Sequence, residues 1–217
     1  MAAKGHSAEK KMASTSSEPT RPSLRERKKA AARANVLDIA HRLFHEVGFE
    51  AATIGQICNE ALISKRSFFR YFRDKESLVF PNREERLEVF VAFLEDHHDA
   101  ENPFESLRLA TKIFGAEYDR HKKRLRDQQS LIHSSLVLLS REREIDQDWQ
   151  TAIANAFSAR AGNSPDGDLW ALVLAGAIMG VVRATMNFWF ERGCRDDLTE
   201  LGLEALNYLE RGFPHRA

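Results

Sequence analysis

The chain is expected to be all-α, with three short helices at its amino-terminal end and a larger helical bundle behind them. Two features of the sequence predict this. Apolar residues recur at three- and four-residue spacing along most of the 217 positions, and serine or threonine followed three residues later by glutamate or glutamine marks two early helix starts. Strand-like alternation is absent, and no internal repeat is present. The expected division is a disordered tail at 1–22, a compact helical unit at 23–73 and a bundle at 74–217.

Ser23-Leu24-Arg25-Glu26 is a capping box, so the first long helix starts there. Val36, Ala40, Leu43, Phe44 and Val47 form its inward stripe, and Gly48 supplies a left-handed residue at its end. Thr53-Ile54-Gly55-Gln56 opens a second helix through Ala61, with Ile54, Ile57 and Cys58 facing inward. After a tight turn Ser64 caps a third helix. Phe68, Tyr71 and Phe72 lie on its inner side, and Lys65, Arg66, Phe69, Arg70 and Arg73 on the other. Asp74 is expected to restart a helix carrying Leu78 and Phe80, interrupted at Pro81 and resumed over Glu84–Glu95. Further helices are expected at Phe104–Tyr118, His121–Ser140, Glu142–Ala161, Asp166–Arg192 and Asp197–Gly212, broken at Pro103, at Gly162-Asn163-Ser164-Pro165 and at Gly193.

The formal net charge of zero conceals an asymmetry. Through Lys75 there are 15 Lys and Arg against 8 Asp and Glu, and beyond it 17 against 24. A basic head on an acidic body is the electrostatic signature of a phosphate-binding module attached to a part that avoids nucleic acid. Cys58 and Cys194 lie far apart and read as buried thiols rather than a disulfide or zinc site. Residues 1–22 have no apolar stretch and do not read as a secretory signal, so the protein is expected in the cytoplasm. The apolar run Leu169–Val182 falls short of the roughly 20 residues of a membrane span, and lengthening it takes in Arg183 and Asn187. A buried helix rather than a membrane partner is expected there.

Metal and enzyme readings find little support. His41 and His45 stand one helical turn apart without a third ligand nearby in sequence, and neighbours within Glu95–Asp99 point in different directions on a helix. No nucleophile elbow, phosphate-binding loop, dinucleotide fingerprint or HExxH is present, so no catalytic residue, metal or cofactor is assigned. The remaining rivals are a ligand-responsive regulator and an architectural DNA-binding protein. Specific protection of one or two palindromic sites separates the first from the second, which coats DNA.

A short helix, a turn and a second helix with a basic outer face is the arrangement that places the second helix in the DNA major groove. Over Thr53–Phe80 the sequence TIGQICNEALISKRSFFRYFRDKESLVF resembles the DNA-binding segment of the TetR family of one-component regulators. Phe68–Phe72 followed by Asp74-Lys75-Glu76 is similar to an actinobacterial branch that includes mycofactocin-type regulators. The resemblance implies a homodimer that binds palindromic operator DNA as a repressor and is released by a small, hydrophobic effector. It also implies that Thr53, Ser64, Lys65, Arg66, Ser67, Phe69, Tyr71 and Lys75 occupy positions that touch bases or phosphates.

Physical roles follow for each. Lys65 and Arg66 suit base edges, an arginine pairing bidentately with guanine, while Ser67 suits either base or phosphate. Tyr71 and Lys75 suit the DNA backbone, and Thr53 is a helix cap first. Two departures from the family pattern stand out. Leu62 replaces the usual turn glycine, which implies either strain or a different backbone, and Phe69 replaces a frequent tyrosine, offering an apolar face to a thymine methyl. Arg25, Arg27, Lys28, Lys29 and Arg33 form a basic stretch suited to the DNA backbone or to a solvated helix start.

By the same resemblance an apolar effector pocket lies in the bundle, with Phe104, Leu107, Phe114, Leu136, Trp149 and Phe157 as candidate walls or core residues. Gly176, Gly180 and Ala184 fall at four-residue intervals on one helix, with Val173, Ala177 and Met186 beside them. Small residues so spaced allow close helix approach, and this helix together with Asp197–Gly212 is the expected homodimer interface, with packing inside one chain as the alternative.

Overall fold

The computed structural model describes residues 23–97, 102–160, 162 and 168–212. Among them are nine α-helices and no strand: α1 Leu24–Val47, α2 Ile54–Glu60, α3 Lys65–Tyr71, α4 Arg83–Asp96, α5 Pro103–Arg120, α6 Lys122–His133, α7 Leu136–Arg160, α8 Leu169–Glu191 and α9 Leu198–Arg211. The expected tail at 1–22 lies outside the described residues, as do His98, Asp99 and residues 163–167.

Both expected capping boxes form. At α1 the Ser23 hydroxyl accepts from the Glu26 N–H, and the Glu26 carboxylate accepts from the Ser23 N–H at 2.7 Å. At α2 Thr53 and Gln56 make the same exchange. Each satisfies two backbone donors that a helix start leaves open.

Two expected helices are redrawn. Asp74 does not restart an α-helix; a single 3-10 turn, Glu76–Leu78, follows it, and its carboxylate accepts from the Ser77 N–H at 2.8 Å. Asn82 then adopts a left-handed φ of 59° before α4 begins. The expected His121–Ser140 helix stops at His133, and the next starts at Leu136 rather than Glu142. Two serines explain the break, because short hydroxyl side chains compete for backbone groups. The Ser134 hydroxyl donates to the Leu131 carbonyl at 2.7 Å, and Ser135 Oγ accepts from the Leu138 N–H at 3.3 Å.

The first core joins Val36, Ala40, Leu43 and Phe44 of α1, Ile57 and Cys58 of α2 and Phe68 of α3 to Phe49, Phe72, Leu78 and Val79. It does not end at Arg73. Leu131 and Ile132 of α6 and Leu138 of α7 close it. Burying each such side chain contributes roughly 1.5–3 kcal/mol. Polar ties follow the same seam: Gln128 Nε2 donates to the Val79 carbonyl at 2.6 Å, and Arg141 stands 3.5 Å from Asp74.

The second core lies among α4, α5, α7, α8 and α9. Here α5 and α9 meet through two glycines. A Cβ on Gly115 would stand 2.7 Å from Thr199 Oγ1 and 3.1 Å from the Thr199 Cα, and one on Gly202 would stand 2.7 Å from Thr111 Cγ2. The contact is reciprocal, a glycine of each helix receiving a threonine of the other. Arg108 of α5 also pairs with Glu210 of α9, which accepts from Asn102 Nδ2 at 2.9 Å.

Because the Gly115 contact includes the Thr199 backbone, Gly115→Ala is expected to destabilise the protein by about 1–3 kcal/mol despite alanine's better helix propensity. Urea unfolding monitored by circular dichroism measures it. An unchanged or raised midpoint would show that the two helices do not pack this closely.

Candidate nucleic-acid interface

Between α2 and α3 the chain turns through Ala61–Ser64. The Leu62 N–H donates to the Asn59 carbonyl at 3.3 Å and the Ile63 N–H to the Cys58 carbonyl at 3.0 Å. These two bonds close a Schellman motif, whose penultimate position is left-handed. Leu62 occupies it at φ 54°, with its side chain 91% exposed. Of the two alternatives posed by the missing glycine, the strained one holds. Ile63 and Cys58 both reach the first core, which fixes the end of the turn, and Ser64 Oγ accepts from the Ser67 N–H at 3.1 Å to start α3.

Phe68 anchors α3 inward, stacking near Phe72 with ring centroids 5.4 Å apart. The opposite face carries Lys65, Arg66, Phe69 and Arg70, all exposed, with Phe69 at 54%. Among the described residues none of Lys65, Arg66 and Arg73 is in an ion pair. The acid that ends α2, Glu60, is paired with Arg42, which also holds Glu46 at 3.2 Å. The face is therefore basic, uncompensated and rigidly held, with an apolar ring at its centre. Such a surface can approach phosphates and base edges together.

The other expected contacts are placed differently. Thr53 uses its one hydroxyl hydrogen on Gln56 Oε1 at 2.9 Å, and Ser67 Oγ accepts from Ser64 Oγ at 3.1 Å, leaving the Ser67 hydroxyl hydrogen available. Tyr71 packs its ring against the first core while its hydroxyl accepts from Arg70 at 2.9 Å.

Lys75 is bonded within the protein. Its ammonium donates to the carbonyls of Phe49 at 2.6 Å, Ala52 at 3.0 Å and Glu50 at 3.4 Å, and lies 4.1 Å from the Phe49 ring centroid. All three donors are used within the protein, because the loop between α1 and α2 turns its carbonyls toward the 3-10 turn. Lys75 thereby fastens that loop to the 3-10 turn.

Arg33 was legible as part of a basic stretch but not as a tie. Its guanidinium donates to Asn82 Oδ1 and lies over Phe72, 5.3 Å from the ring centroid, joining α1 to the start of α4. No local signal pairs residues 49 positions apart. Arg25, Arg27, Lys28 and Lys29 are exposed on the first two turns of α1. His41 Nε2 bonds the Leu78 carbonyl at 3.2 Å, and burial holds its pKa below the ordinary histidine value.

In the bundle, Leu107 and Phe157 are buried in the second core, and Phe104, Phe114 and Trp149 pack against it. Phe90 stands 5.2 Å from Trp149 and 5.7 Å from Phe114 between ring centroids, so these aromatics pack on one another. Leu136 does not join them. It begins α7 at the serine corner and is 84% exposed, which removes it from the proposed wall.

Along α8, Val173 is 61% exposed, and Gly180 and Ala184 are exposed; a Cβ on Gly180 would meet nothing within 4 Å. Ala177 is half-buried, and Gly176 faces Gln150 of α7. Met186 is on the other side, packed against Trp189, Cys194 and Leu198, so it leaves the expected stripe. At 23 residues, with a mean hydropathy of 1.8 over its most apolar 18-residue stretch, α8 is by length and composition alone long and apolar enough to cross a membrane. Its inner face nevertheless packs Ala171, Ala175, Ile178 and Met179 into the second core, and its Arg183 is paired with Asp146 at 2.8 Å.

Comparison with known proteins finds two family models on the chain. One described as bacterial regulatory proteins of the tetR family matches residues 36–80, and one described as the MftR C-terminal domain matches 101–214, more than half of the chain. The HTH-type transcriptional regulator TcmR of Streptomyces glaucescens is 28% identical over 211 residues, covering 93% of this chain and 89% of that protein. A mycofactocin biosynthesis transcriptional regulator, MftR, of Mycobacterium tuberculosis is 24% identical, covering 83% and 96%. Among solved structures, FadR of Bacillus subtilis in complex with stearoyl-CoA superposes with a TM-score of 0.57 at 19% identity, covering 83% of this chain and 99% of that one. FadR of Thermus thermophilus in complex with lauroyl-CoA gives 0.56 at 19%, covering 85% and 96%.

Two stability measurements test this geometry. Leu62→Gly removes a left-handed leucine worth about 1–2 kcal/mol of strain, offset by about 0.4–1 kcal/mol of added chain entropy, so a net gain of up to about 1 kcal/mol is expected. A loss would mean that the exposed leucine makes a contact in solution. Lys75→Ala leaves three carbonyls without their donor and is expected to lower stability by about 1–3 kcal/mol before any DNA is added. An unchanged urea midpoint would return Lys75 to the phosphate role.

Proposed function

This chain belongs to the TetR family of bacterial regulatory proteins, and we propose that it acts in the cytoplasm as a homodimeric repressor of a palindromic operator, released by a small hydrophobic ligand. The observation that carries the proposal is the outer face of α3, where Lys65, Arg66, Ser67 and Phe69 stand on a helix whose start is capped and whose inner side is anchored by Phe68. Lys65 and Arg66 read base edges, Phe69 meets a thymine methyl, and Ser64 and Ser67 with the first turns of α1 hold phosphates. Tyr71 adds a backbone contact through Arg70, with which it shares a hydrogen bond.

The exposed stripe of Val173, Gly180 and Ala184 on α8 supports the dimer. A helix this apolar with only 22% of its most apolar stretch buried leaves a face that a second copy covers, and the side chains there are small enough for close approach. Two copies present two recognition helices to half-sites about one DNA turn apart, so the second half-site is met at high effective concentration.

The ligand reading rests on the aromatic second core. FadR of Bacillus subtilis and of Thermus thermophilus are described with acyl-CoA bound, and a long apolar chain suits a site formed by parting Phe104, Leu107, Phe114, Trp149 and Phe157. Opening that core moves α4, α5 and α7, and α7 reaches the first core through Leu138. Binding of ligand and operator is then mutually antagonistic by linkage.

Operator selection from random sequence, followed by gel shifts, tests the reading. Arg66→Ala is expected to weaken the selected operator by about 1–3 kcal/mol and to relax one base position. Gly180→Leu is expected to yield a folded monomer with weak operator binding, and lauroyl-CoA or stearoyl-CoA to release the wild type. A loss of affinity by Arg66→Ala that is the same for every sequence, with base preference unchanged, would remove that residue from base reading. A Gly180→Leu protein that sediments as a dimer would move the interface, and operator binding unchanged by either acyl-CoA would exclude long-chain acyl-CoA as the effector.

A further inference from the structure

We propose that a groove between α1 and the α5–α6 corner binds a small molecule carrying two or more phosphate groups. Its volume of about 420 Å³ falls within the range of small-ligand sites. His41 and His45 of α1 form one wall; Arg120, Lys123, Arg124 and Asp127 form the other. No residue of α3 lines it, so it is distinct from the face assigned to DNA.

The charges of this groove are unbalanced. Among the described residues Arg120, Lys123 and Arg124 form no ion pair, and Asp127 is the one acid in the lining. The positive field reaches the opposite wall: after burial, the charge of Arg124 is a further cause holding the His41 imidazole below its ordinary pKa. The start of α6 adds to the imbalance. Its first turn holds Lys122, Lys123 and Arg124, no acid and no side-chain cap. Cations at the positive end of a helix dipole repel it, so this cluster lowers stability unless an anion sits among them.

Phosphate fits the donors better than a single carboxylate does. Two guanidiniums and an ammonium are spread along the α5–α6 corner, and guanidinium matches phosphate oxygens in a bidentate fork. One carboxylate satisfies one such group, whereas linked phosphates span several. A molecule so held touches α1 on one side and α6 on the other, across the seam where Leu131 of α6 closes the first core. It therefore ties the DNA-reading helices to the bundle, independently of the apolar core.

Calorimetric titration of the full-length protein with inorganic tripolyphosphate, without DNA and at physiological salt, tests the site. One saturable event per chain is expected. Replacing Arg120, Lys123 and Arg124 together by alanine should weaken it by about tenfold or more, since charge-assisted contacts are lost, while Lys65→Ala with Arg66→Ala should change it by less than about twofold. Circular dichroism verifies that the triple variant folds, and Lys123→Glu alone provides a second variant in which weaker binding is expected. An affinity that follows Lys65 and Arg66 instead, equal binding by the groove variants, or no saturable binding by the wild type overturns the proposal. Because no operator is used, these outcomes are independent of whether the repressor reading holds.

Discussion

The DNA-reading head does not close its own core. Leu131, Ile132 and Leu138, from the corner between α6 and α7, complete an apolar cluster whose other members come from α1, α2, α3, the 3-10 turn and the segments that join them. Interiors pack nearly as densely as crystals, so a shift of that corner cannot be absorbed locally and must move Phe72, Leu78 or their neighbours. Whatever alters the α6–α7 corner therefore alters the seating of α3. The polar ties on the same seam, Gln128 with Val79 and Arg141 with Asp74, give the corner a preferred position instead of a sliding contact.

Within the head, α3 is held at both ends by interactions of different kinds. At its start a Schellman turn accepts the strain of a left-handed Leu62, because Ile63 must still reach the core and Ser64 must still cap the helix. Beyond its end, Lys75 spans back to the loop between α1 and α2 and binds three of its carbonyls. The result is a short helix with little freedom to tilt. Seven residues would not be helical in isolation, and here tertiary packing supplies what propensity cannot.

The body is built around two small-residue contacts with different fates. Gly115 and Gly202 are filled by threonines of the facing helix within one chain, whereas Gly180 meets nothing. Both patterns read alike along the sequence as small residues on a helix face. Only the packing of α5 on α9 distinguishes a used contact from an open one, and the open one lies on the most apolar helix of the chain.

Local chemistry fixed much of this protein in advance. The capping boxes at Ser23 and Thr53, the Ser64 cap, the inward stripe of α1 and the basic outer face of α3 are properties of residues three or four positions apart, and each formed as its sequence implies. Interactions that join distant segments were not legible, because sequence records no separation in space. Thus the bonds of Lys75 to the loop carbonyls of residues 49, 50 and 52 have no signal in the sequence, and neither does the corner at Ser134 and Ser135 that leaves Leu136 84% exposed. The sequence by itself determined an all-α chain with a helix-turn-helix and a basic recognition face. The tertiary structure alone decided which of its polar and apolar side chains remain free to meet a partner, since that depends on what each has already bonded or packed against.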